Sequence, residues 1–197
     1  MRILSFMTAV ALLLAAPVAV AQQDRAVTPS PPAIGQPSAD QPAPDALSEG
    51  DREFLTAALN TAAFGLESGR MAVARTDDEE TRLLAEKLIG DFTSLGEALA
   101  DMAVDAGMAA PGDLDAGRAA ALAQLRLAPD GEFTPLWLTQ QVEAHAEAVT
   151  LFQRAATPEP GRSQVVAELA LSSLPVLREN RAALTSAAAG AGVAQVR

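Results

Sequence analysis

Apolar side chains recur at steps of three and four through most of this chain, the spacing that lines one face of an α-helix. Phe54, Leu55, Ala58, Leu59, Ala62, Leu66 and Val73 make the first stripe. Ser48 with Glu49 and Asp51 supplies a capping side chain and early acids, so a helix is expected over residues 48–75. The second stripe is Leu84, Leu88, Phe92 (or Asp91), Leu95, Leu99 and Met102, opened by Thr76 and Glu79 as a capping box and closed by Gly107 and Pro111. The alanine-rich segment 113–127, anchored by Leu122 and Leu125, predicts a minor helix. Pro129-Asp130-Gly131 is turn chemistry, after which Thr134 as cap and Pro135 in the first turn open a helix to residue 156. Its stripe is Leu138, Val142, His145, Val149 and Phe152. Pro158-Glu159-Pro160-Gly161 breaks the chain, and Val166, Leu169, Ala170, Leu174, Leu177 and Leu184 predict a last helix over 163–189. Pro175 lies inside it and predicts a kink or a break into two helices.

No stretch alternates with period two, and β-branched and aromatic residues are sparse, so the expected class is all-α. Four long amphipathic helices with short connections pack most simply as an antiparallel four-helix bundle, the short additional helix serving as crossover or lid. Alanine at many stripe positions lets the helices approach closely.

The ends of the chain differ from this pattern. Arg2, the apolar run over 10–20 and the Ala19-Val20-Ala21 exit read as a secretory signal peptide over residues 1–21, with an uncleaved anchor as the alternative. Residues 22–46 hold Pro29, Pro31, Pro32, Pro37, Pro42 and Pro44 with almost no large apolar side chains, the composition of a disordered tether. Residues 47–197 are then one helical domain with a core of its own. A cleaved chain is expected to be periplasmic or secreted, or associated with the outer membrane, with no stable membrane span.

Charge and composition narrow the function. Cleavage would remove Arg2 and no acid, leaving 13 basic against 25 acidic residues and a net charge of −12. That balance disfavours nucleic acid and anionic lipid as partners. With no cysteine, disulfides, thiol catalysis and thiolate metal sites are all absent. Gly-rich phosphate loops are also lacking, and no strand-turn-helix context offers a nucleophile to the only histidine.

His145, that single histidine, falls on the buried stripe of its helix. It is read either as a core histidine bonded to a neighbouring carbonyl or carboxylate, or as a metal ligand or proton carrier. Convergence of Glu67, Asp91 and His145 would give two carboxylates and an imidazole able to hold a divalent ion. Glu168, Glu179 and Asn180 are the other polar groups that could face inward. Asp77-Asp78-Glu79-Glu80 is read as helix N-terminal stabilisation. Leu88, Phe92, Leu138 and Phe152 could line an apolar ligand pocket between loosely packed helices.

Several short pieces together resemble one family. Asp51-Arg52-Glu53-Phe54-Leu55, Leu66-Glu67, Gly131-Glu132-Phe133, Gln141-Val142-Glu143-Ala144-His145, Val149-Thr150-Leu151-Phe152 and Leu174-Pro175-Val176-Leu177, spread over residues 51–184, look like the domain of unknown function 4142 family. The resemblance implies an exported bundle of ferritin-like fold, of the kind often labelled outer membrane proteins. It also implies histidines that this chain lacks: Asp91-Phe92 stands where the family has Asp-His, and Asn180 where it has a histidine after the Leu-Pro-x-Leu element. Only His145 matches. The leading expectation is therefore a non-catalytic envelope protein with a scaffold, stress-related or interaction role and an envelope protein or small ligand as partner. The alternative is a ferritin-like divalent-metal or redox protein with a reduced site around His145.

Overall fold

The computed structural model describes residues 47–109 and 112–193. The expected signal peptide and tether lie outside those residues. Five α-helices and no strand form the described chain: α1 (Glu49–Arg75), α2 (Glu79–Asp105), α3 (Ala116–Leu127), α4 (Asp130–Ala156) and α5 (Gln164–Gly190). α1 pairs with α2 and α4 with α5, the two hairpins meet where α1 packs on α4 and α2 on α5, and α3 lies against α1 and α4. The α2–α5 seam is thinly packed beside the other three.

Most starts and stops follow from local chemistry. The Ser48 hydroxyl accepts the Asp51 N–H at 3.1 Å while the Asp51 carboxylate accepts the Ser48 N–H at 3.3 Å, closing a reciprocal cap on α1. α2 ends at Gly107, whose φ of +64° lets Met108 N–H reach the Ala103 carbonyl at 2.8 Å. Leu122 and Leu125, the expected anchors of α3, are both buried.

Three expectations are corrected. α2 is capped by Asp78, whose carboxylate accepts the Thr81 N–H at 2.7 Å, and not by Thr76. Thr76 still bonds back to Ala72 O at 2.9 Å, so it closes α1 instead. α4 begins at Asp130, ahead of Thr134 and Pro135. Its start is set by Phe133, which is fully buried under the Arg75 guanidinium, 4.4 Å from the ring centroid. Arg75 also donates to Leu125 O at 2.7 Å and Ala128 O at 2.6 Å, neutralising the end of α3 and fixing the turn into α4. Finally, of the kink or break expected at Pro175, the break is not found: α5 runs as one helix through it. Pro175 deprives the Leu171 carbonyl of its helical donor, and Leu171 is 62% exposed, so water can replace that bond.

Two features hold the helices at their spacing. Gly65 on α1 has the Phe92 ring laid against it: a Cβ there would fall 2.3 to 2.8 Å from three ring carbons. At the start of α1, fully buried Asp51 accepts the Ser163 N–H at 3.0 Å and pairs with Arg162 at 3.3 Å, tying α1 to the α4–α5 connection. Gly65→Ala should therefore destabilise by about 1–3 kcal/mol through overpacking, whereas Gly90→Ala, with open space at its Cβ, should stabilise by up to about 1 kcal/mol. Urea unfolding reads both, and a stabilised Gly65→Ala would contradict the packing. Asp51→Ala leaves Arg162 with only Glu159 and should cost about 3 kcal/mol or more in the same assay; a loss below about 1 kcal/mol, the level of a surface pair, would contradict the tie.

Candidate functional site

His145 sits mid-way along α4 and is 1% exposed. Its Nδ1 lies 2.8 Å from the Gln141 carbonyl. A carbonyl only accepts, so Nδ1 carries the proton and the neutral ring presents a lone pair at Nε2. That Nε2 is buried with no hydrogen-bond partner among the described residues. One turn back, the buried Gln141 amide donates to Ser68 Oγ at 2.9 Å, and Ser68 Oγ donates to Phe64 O at 2.6 Å, so the polar line runs from α4 to α1. Phe92 from α2 closes the other side, its ring centroid 5.3 Å from that of His145. Burial drives the His145 pKa down from 6.5 to about 4. The Gln141 carbonyl and the charge of Asp91 favour the imidazolium but do not overcome that desolvation.

A second polar cluster lies on the α2–α5 seam. Lys87 Nζ donates to Asp91 Oδ2 at 2.9 Å and to Asn180 Oδ1 at 2.7 Å, and approaches Glu179 at 3.4 Å. Asn180, 1% exposed, also donates to Asp91 Oδ2 at 2.8 Å. Burial alone would lower the Lys87 pKa, yet the bonds and charges of Asp91 and then Glu179 together hold it above its usual value.

The expected convergence of Glu67, Asp91 and His145 is not found. Glu67 projects toward α3 and pairs with Arg126, with almost half of its side chain exposed. Asp91 turns to Lys87 and Asn180, and Phe92, the next residue, stands against the His145 ring. The helical period placed Glu67 next to Leu66, but α3 recruits that face of α1 for an ion pair. As a ligand set these residues do not fit one ion: His145 offers a single lone pair and both carboxylates are engaged elsewhere. Among the described residues no three His, Asp or Glu side chains are gathered as a metal ion would require. Glu168 is exposed and bonds Gln164 at 2.7 Å, and Glu179 is largely exposed. Of the apolar residues expected to line a pocket, Leu88, Leu138 and Phe152 are fully buried core side chains, and Phe92, 3% exposed, is the one that also borders a cleft. Gln141 and Ser68 were not foreseen. Gln141 precedes His145 by four residues on the same stripe, which is the signal that could have found it.

Three comparisons bear on this arrangement. The family model described as "Domain of unknown function (DUF4142)" matches residues 36–186. No curated protein matches the chain. Among solved structures, the crystal structure of a DUF305 fragment from Deinococcus radiodurans is similar, with a TM-score of 0.63 at 16% identity over 73% of this chain and 98% of that one. At that identity the likeness is one of fold.

The buried imidazole has a consequence for stability. Its folded pKa of about 4 lies below the unfolded value of 6.5, so the unfolded chain takes up the proton first as pH falls. The contribution of the neutral imidazole to stability is fully present above pH 6.5 and is lost progressively down to about pH 4, by about 3 kcal/mol in total. Comparing the pH dependence of urea midpoints in the wild type and His145→Gln checks this. The variant should lack that part of the acid slope, and parallel curves would contradict it.

Proposed function

The chain belongs to the DUF4142 family, and within it we propose a non-catalytic helical protein exported to the bacterial cell envelope, with a scaffold, stress-related or interaction role. One observation supports the non-catalytic part: the two carboxylates that could do chemistry are engaged by other side chains of the same chain, and the imidazole is buried and neutral. Lys87 and Asn180 hold Asp91, Arg126 holds Glu67, and His145 is kept neutral behind Phe92. A buried imidazole with a pKa of about 4 is too weak a base to shuttle protons near neutrality. The ferritin-like four-helix arrangement is the finer reading of the fold, supported by two hairpins joined through one long connection that contains α3.

Export rests on residues 1–21, with 22–46 as a tether giving the helical domain reach from its point of attachment. No helix of the described residues is long and apolar enough to cross a membrane, which accords with a domain lying outside the bilayer. The acidic balance, 25 acidic against 14 basic residues, favours partners that are not polyanions.

A divalent-metal or redox role is the second reading, and one feature favours it. The His145 tautomer leaves Nε2 bare, as a metal ligand needs. Fractionation, N-terminal sequencing and elemental analysis of the protein from its native envelope separate the readings. The expected result is a chain beginning at Gln22, outside the cytoplasm, with no stoichiometric metal in either the wild type or His145→Ala. A chain retaining Met1 in the cytoplasm would overturn export, and one equivalent of metal lost in His145→Ala would replace the non-catalytic reading with the metal one.

A further inference from the structure

A cleft of 270 Å³ opens along the thinly packed α2–α5 seam, just below the roughly 300 Å³ at which ligand pockets begin, so its occupant must be small. Its floor is apolar, made by Phe92 and Leu95 of α2 with Leu169 and Leu177 of α5. Val176, 40% exposed, forms part of the rim.

Asn180 Nδ2 at the end of the wall gives an N–H to Asp91 Oδ2 at 2.8 Å, and the three serines of the wall accept and do not donate. Ser94 donates its hydroxyl proton to Gly90 O at 3.3 Å, Ser172 to Leu169 O at 3.0 Å, and Ser173 to the same carbonyl at 2.8 Å. Each serine therefore shows the cleft only lone pairs. At the end of the cleft the Lys87 ammonium is directed at Asp91, Asn180 and Glu179. Asp91 Oδ2 receives two bonds, while Oδ1 accepts none among the described residues. Lys87, Asp91 and Glu179 sum to one negative charge, on a chain already acidic. An anionic head group would meet the serine lone pairs and the excess negative charge of the cluster, whereas a cationic donor would complement both.

From this geometry we infer that the α2–α5 cleft binds a small alkylammonium compound, its hydrocarbon chain on the Phe92 and Leu177 floor and its ammonium donating to Asp91 Oδ1 and the serine oxygens. The site is separate from His145, and this inference stands or falls independently of the non-catalytic reading.

Calorimetric titration of the full chain with n-octylammonium below its micelle concentration, alongside octanoate and octanol, tests it. Saturable one-site binding of octylammonium is expected, with octanoate weaker by about tenfold or more and octanol between them. Ser173→Phe fills the cleft and should weaken octylammonium by about tenfold or more while the helical circular dichroism is kept. Ala98→Leu, at the opposite wall, gives the same reading should Ser173→Phe fail to fold. Octanoate binding as tightly as octylammonium, the absence of saturation, or binding that survives both filled variants as adhesion to the acidic surface would each overturn the proposal.

Discussion

The Phe92 ring lying on the backbone of Gly65 is the contact from which the rest of the interior takes its position. A Cβ at residue 65 would penetrate the ring, so α1 and α2 reach this separation only because that position is glycine. The same ring then meets His145 of α4 on one side and the floor of the α2–α5 cleft on another. An aromatic carbon surface beside the imidazole removes water from it, and that desolvation keeps His145 neutral. One hydrophobic side chain thus sets a helix spacing, a protonation state and the shape of a cleft.

A chain without cysteine must close its ends by noncovalent means, and α1 does so with a charge at each end. Asp51 at its start is fully buried and gathers Ser48, Arg162 and Ser163, while Arg75 at its end covers Phe133 and the last carbonyls of α3. Asp51 is a buried charge with several partners, and removing any of them strands it away from water, whereas Arg75 stays partly exposed. The pieces Asp51-Arg52-Glu53-Phe54-Leu55 and Gly131-Glu132-Phe133, which first suggested the family, therefore have a structural account. They contain the residues that fasten α1 to the two connections flanking α4.

Periodicity made the helices, their order and the burial of His145 legible, because a three-to-four spacing leaves little choice of face. It also identified Leu122 and Leu125 as the anchors of α3 and Gly107 as the stop of α2. Where it failed, a competing contact, local at Thr76 and distant elsewhere, overrode the signal. Thr76 has cap chemistry, yet the α1 helix retains it and Asp78 caps in its place. Thr134 and Pro135 suggest a start, yet Arg75 draws Phe133 inward and the helix begins earlier. Helical face alone directs Glu67 and Asp91 toward His145, whereas their actual partners, Arg126 and Lys87 with Asn180, depend on how α3 and α5 come to lie. The Lys87–Asp91 pair has helical spacing and was in principle readable, but nothing local reveals that Asn180, 89 residues from Asp91, completes it.

At the centre of the fold His145 is buried, with the imidazole neutral and bonded through Nδ1 to the Gln141 carbonyl. Because the chain has one histidine, its ring carbon and nitrogen signals can be followed by NMR across pH without ambiguity. The ring should remain neutral with the proton on Nδ1 down to about pH 5 and take up a proton near pH 4. Titration near the ordinary value of 6.5, or a proton resident on Nε2, would contradict it.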